Sequence, residues 1–147
     1  MTAVDSRAVP SVLIAEPDPW TRDLLKQMVL SVRCDAQLDV CQEGPQALML
    51  VKQKTYDLVI ADGKLPGIGG LDLLRMVRQL RRSTPQPFIL LSERSDSASV
   101  REALPLAPTA YLTKPLDMSG LTRRLQTLLL SAGQAVSCDV PALSASM

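Results

Sequence analysis

Five short apolar runs, each followed by an amphipathic stretch, set the limits on what this chain can fold into. The runs are SVLIAE (11 to 16), LDVCQ (38 to 42), DLVIA (57 to 61), PFILLS (87 to 92) and TAYLT (109 to 113). Short, largely apolar strands that alternate with helical segments are the pattern of a parallel sheet covered by helices on both faces. The run at 38 to 42 is the most polar, so it belongs on an edge. Helical periodicity places the covering segments at about 19 to 32, 45 to 54, 70 to 82, 97 to 104 and 117 to 131. The first opens with Asp18 as N-cap and Pro19 in the first helical position, and it lays Leu24, Leu25, Met28, Val29 and Val32 along one face. The third turns Leu71, Leu74, Val77 and Leu80 inward and Arg75, Arg78, Arg81 and Arg82 outward as a solvated face. Pro105 stops the fourth. The fifth buries Leu121, Leu125, Leu128 and Leu129.

A chain of 147 residues needs only one core. Residues 11 to 132 form that domain, 1 to 10 read as a disordered arm, and the small, polar, aperiodic stretch 133 to 147 reads as a flexible tail or a linker to an absent output domain. A formal net charge of +1 gives no field that would drive the chain onto nucleic acid or an anionic membrane. No stretch reaches the roughly 18 apolar residues of a membrane helix. Cys34, Cys41 and Cys138 are odd in number and unpaired in spacing, so they read as reduced thiols of a cytoplasmic protein. Histidine is absent, which removes Ser-His and Cys-His triads and any histidine base. Chemistry must rest on carboxylates, hydroxyls or lysine.

In an open parallel sheet, ligands bind beyond the carboxyl ends of the strands. The residues at those ends are Glu16, Pro17 and Asp18, then Asp62, then Ser92, then Lys114 and Pro115. Three acids, a hydroxyl and a lysine therefore share one rim by topology alone.

The stretches VLIAEPDP, YDLVIADGKLPGIGGLDLLRMVR, PFILLSER and AYLTKPLD, which cover about residues 11 to 131, resemble the receiver domains of bacterial two-component response regulators. Asp62 to Ser92 spans 30 residues and Ser92 to Lys114 spans 22, and the combined spacing is far more specific than any single motif. The resemblance implies a flavodoxin-like (βα)5 fold, a doubly wound α/β sheet in strand order 2-1-3-4-5. It makes Asp62 the phosphoacceptor, with Lys114 pairing a phosphoryl oxygen and Ser92 donating its hydroxyl to the phosphate. Ser92 and Tyr111 become the switch pair, a cis bond precedes Pro115, and Gly67, Gly69 and Gly70 let the loop after Asp62 turn sharply. Mg²⁺ is the implied cofactor, held by Glu16, Asp62 and the Lys64 backbone carbonyl, with Asp18 as a further candidate. A sensor histidine kinase or phosphotransfer protein is the implied donor. The surface of the fourth helix, fifth strand and fifth helix is the implied partner face, for an output domain, another protein or a second copy.

Pro17 departs from the pattern, since family members place a metal-ligand acid there and proline has no side-chain oxygen. Two readings stay open: a phosphorylated signalling receiver, not a turnover enzyme, and a docking module of the same shape that works without phosphate. An enzyme that binds flavin or nucleotide is disfavoured, because EPDPW offers two acids and two residues without an N–H where a phosphate cradle needs amides and hydroxyls.

Overall fold

The computed structural model describes residues 9–93 and 97–130. The arm expected at 1 to 10 falls almost wholly outside the described residues, and the tail at 133 to 147 entirely so. The strands are β1 (Ser11–Ala15), β2 (Gln37–Cys41), β3 (Leu58–Asp62), β4 (Phe88–Ser92) and β5 (Ala110–Thr113). The helices are α1 (Pro19–Val32), α2 (Gly44–Gln53), α3 (Gly70–Arg78), α4 (Ser97–Ala103) and α5 (Met118–Leu129), with a 3₁₀ turn at Leu104–Leu106. All five strands pair in parallel in the order β2-β1-β3-β4-β5. The expected flavodoxin-like arrangement is the one observed.

Because successive strand side chains point to opposite faces, the sheet divides the core in two. Leu13, Ala15, Val59, Ala61, Phe88 and Leu90 face α2 and α3. Val12, Ile14, Leu58, Ile60, Ile89 and Leu91 face α1 and α5. The polar strand β2 lies on an edge as expected. Its Asp39 accepts a hydrogen bond from the Tyr56 hydroxyl at 2.6 Å and pairs with Lys54 at 3.2 Å.

Three expectations need correction. First, the third helix ends at Arg78 and not near 82. The Gln79 and Leu80 amides bond three residues back, to Met76 and Val77, and the tighter turn closes the helix. Leu73, off the expected stripe, is fully buried. Second, the arginines there are not simply a solvated face. Arg78 donates to the carbonyls of Gln86, Leu106 and Ala107 at 2.7, 2.8 and 3.0 Å, and Arg82 donates to Val51 O and Thr55 Oγ1. Third, the cysteines are not all thiols. Cys34 is disulfide-bonded, and Cys41 is the one free cysteine among the described residues. An odd count guarantees one unpaired sulfur and says nothing about the others.

Candidate functional site at the carboxyl rim of the sheet

Each strand that matters delivers its residue to the same rim. Asp62 is the last residue of β3 and is 4% exposed, while Glu16, one residue past β1, is 1% exposed. Lys114, one residue past β5, reaches back over both. Its Nζ lies 2.7 Å from Asp62 Oδ1 and 3.1 and 3.3 Å from the two oxygens of Glu16. The Lys114 amide donates to Ser92 O at 2.8 Å, and the Lys114-Pro115 bond is cis, as the resemblance implied.

The carboxylates are fixed by backbone as well. Asp62 Oδ2 accepts the Lys64 amide at 2.9 Å, and Glu16 Oε2 accepts the Asp18 amide at 3.1 Å. Removal of Glu16 from water raises its carboxyl above the ordinary range. The Asp18 amide opposes that shift, the Asp62 charge adds to it, and Lys114 pulls back. For Lys114, burial alone would lower the ammonium, but its bonds to Asp62 and Glu16 outweigh this and raise it. Two carboxylates against one ammonium leave the cleft with a surplus negative charge, nearly sealed from solvent.

The loop after Asp62 is shaped by glycine. Gly67 takes φ +81°, which L side chains rarely adopt, and a Cβ on Gly70 would stand 2.4 Å from Asp62 O. Gly70 is thus required by close approach of α3 to the end of β3. Gly69 has no such φ, so of the three glycines only Gly67 supplies left-handed backbone.

The other expected residues fall as follows. Ser92 ends β4, paired with Thr113, on the rim shared with Asp62, and the backbone of Gly63 packs beside it. Tyr111 is the second residue of β5 and packs half-buried against the core on the α2 and α3 side of the sheet. Asp18 does not turn toward the cleft. Its Oδ2 accepts both the amide and the hydroxyl of Thr21, at 2.9 and 2.7 Å, which commits it to capping α1. Among the described residues no group of three or more His, Cys, Asp or Glu is placed to hold a metal. Two nearly buried carboxylates converging on one nitrogen still suit Mg²⁺, which accepts one or two carboxylates and fills its remaining positions with water.

Sequence reading missed two features. Arg22 donates from Nη1 to Glu16 O and Pro17 O at 2.9 and 3.3 Å, and so pins the loop between β1 and α1. Lys64 Nζ pairs with Glu93 Oε1 at 3.2 Å, which joins the loops after β3 and β4. Neither has a periodic signal: one partner is backbone carbonyl, the other a loop 29 residues away.

Comparison with known proteins agrees with this fold. The family model for the response regulator receiver domain matches residues 12–126. The regulatory protein VanRB of Enterococcus faecalis is 30% identical over 122 residues, 83% of this chain and 53% of that protein. The transcriptional regulatory protein AfsQ1 of Streptomyces coelicolor is 30% identical over 131 residues, 89% of this chain and 56% of that protein. The chain thus spans about half the length of these curated relatives. Among solved structures, the receiver domain of Francisella response regulator 1452 superposes with a TM-score of 0.72 at 27% identity, covering 84% of this chain and 98% of that one. The receiver domain of the sensor histidine kinase PA1611 from Pseudomonas aeruginosa, solved with magnesium coordinated in its active-site cleft, gives 0.71 at 23% identity and covers 82% and 98%, a likeness of fold. With its five-stranded parallel sheet and its Asp62, Glu16 and Lys114 cluster, the chain belongs to the response regulator receiver domain family.

Proposed function

We propose that this receiver takes a phosphoryl group on Asp62 in the cytoplasm, from the phosphohistidine of a sensor histidine kinase or phosphotransfer protein. An Asp62 carboxylate oxygen forms the new O–P bond as the donor's N–P bond breaks. The electron pair stays on the imidazole, which takes a proton from solvent. Such a transfer has little covalent work for the protein to do, so positioning and charge neutralisation carry it. The observation that supports the reading is the 2.7 Å contact between Lys114 Nζ and Asp62 Oδ1 in a nearly buried cleft. Lys114 orients the attacking carboxylate and can follow the incoming charge as a flexible cation. Mg²⁺, when bound, would be held by Asp62, Glu16 and the Lys64 carbonyl and would neutralise charge on the phosphoryl oxygens.

Phosphorylation adds a charge of roughly −2. Ser92 and Lys114 are drawn toward it, and the half-buried Tyr111 follows Ser92 inward. The equilibrium of the face built from α4, β5 and α5 then shifts, where an output domain, a partner protein or a second copy binds. Treatment with acetyl phosphate and Mg²⁺ is expected to add one phosphoryl mass to the intact chain and none to Asp62→Asn, and wild type that stays unmodified at millimolar metal would refute the reading. Such a result would favour the second one, a docking module that needs no phosphate. Two observations lean that way: Pro17 supplies no metal ligand, and Arg22 holds the adjoining loop without one.

A further inference from the structure

The mouth of the cleft carries a second cation with no part in the cluster around Asp62. The Lys64 ammonium reaches across to Glu93, and both side chains are largely solvated, at 68% and 57% exposure. The base of Lys64 is not free to drift, because its amide is bonded to Asp62 Oδ2. Glu93 directly follows Ser92 and, with Thr21, Leu24, Lys114 and Met118, lines a groove of about 560 Å³ beside the cleft. The ion pair therefore spans the two loops that flank the phosphoacceptor, and its cationic half is anchored to the reacting carboxylate itself.

The charges at the mouth say what this pair can do. Inside, Lys114 is the one side-chain cation paired with Glu16 and Asp62 among the described residues, and Pro17 contributes no side-chain oxygen that would strengthen a metal site. An exposed Lys-Glu pair contributes little to stability, so Lys64 can leave Glu93 at small cost. A phosphoryl dianion on Asp62 is the stronger partner, being more highly charged and held close by the Lys64 amide anchor. Taking Asp62 as the phosphoacceptor, we propose that Lys64 and Glu93 form an exchangeable latch: on phosphorylation the Lys64 ammonium leaves Glu93 for a phosphoryl oxygen, supplying charge that a metal site without an acid at position 17 supplies less well. In the unphosphorylated chain Glu93 competes for the same ammonium and holds the mouth closed.

Calorimetric titration of the full chain with fluoroberyllate in Mg²⁺ tests this, because the probe mimics the phosphoryl group without turnover. Lys64→Ala is expected to weaken binding by roughly tenfold, and Glu93→Ala to tighten it by about threefold. Lys64→Ala with Glu93→Ala together should bind like Lys64→Ala alone, since Glu93 acts only through the lysine. Lys64→Arg should restore most of the affinity. The latch is overturned if Lys64→Ala stays within about twofold of wild type, or if Glu93→Ala tightens binding equally in the Lys64→Ala background. Wild type that binds no fluoroberyllate would remove the phosphoacceptor reading and the latch together, whereas wild-type binding indifferent to Lys64 removes the latch alone. Both positions are solvent-exposed, so the variants are expected to fold.

Discussion

Glu16 bears the largest electrostatic burden in the cleft. It is almost fully buried, lies beside Asp62, and has half of one ammonium and one amide in return. Its carboxyl therefore titrates above the ordinary 4.5 in the folded chain. For an acid shifted upward the folded state binds the proton more readily than the unfolded state. The resulting stability is present at low pH and is lost as pH rises from the unfolded value through the folded one. Glu16→Gln copies the neutral form and has no such slope. Urea melts between about pH 4 and about pH 7 should show the stability difference moving in favour of Glu16→Gln as pH rises, then levelling off. A difference flat across that range would mean that burial does not strain this carboxyl. Glu16, Asp62 and Lys114 were all legible in the sequence because alternation alone assigns them to strand ends. The fate of Asp18 was half legible: cap and ligand were both open, and a hydroxyl three residues on, at Thr21, decides for the cap.

Among the elements, α3 does more than cover the sheet. Arg78, in its last turn, gathers carbonyls from the segment just before β4 and from the turn before β5. That turn includes Ala107 in left-handed backbone at φ 51°, an uncommon conformation for a residue with a Cβ. The guanidinium thus holds together the approach to the two strands that lead to Ser92 and Lys114. Replacing Arg78 by Ala would leave three carbonyls without their donor. It should lower the unfolding free energy on the order of 2 kcal/mol, read by chemical denaturation. A loss within experimental error would show that water replaces the clamp. Helix starts were well read from prolines and caps, whereas the end of α3 was not. Leu80 continues the apolar period, but the side chains of Arg78 and Arg82 are committed to distant carbonyls and no helix signal encodes that.

For the whole molecule, the alternating runs sufficed to give a parallel sheet with a core on each face, because each strand must bury two faces and each helix one, whereas the strand order came from the family resemblance. What they could not give is how strongly the finished cleft holds a cation, since that depends on an acid the chain lacks. Ligand binding to the folded state alone stabilises it by mass action, by about 1.4 kcal/mol at ten times the dissociation constant. Pro17→Asp should tighten Mg²⁺ on the order of tenfold, so at one intermediate Mg²⁺ concentration its denaturation midpoint should rise more than that of wild type. Equal shifts would mean that the wild-type cleft already binds the ion as well as a three-acid site.

The run of α5 links the rim of the cleft to the opposite side of the molecule. Its first residue, Met118, sits by the rim, while at its far end Leu129 O accepts Arg33 Nη1 at 3.0 Å, where α1 also finishes. Twelve helical residues at about 1.5 Å each make a rod of roughly 18 Å. Leu130 therefore stands at the side of the molecule opposite the cleft, and under the proposed function a charge placed on Asp62 has to reach that side through the packing of α5 rather than by direct contact.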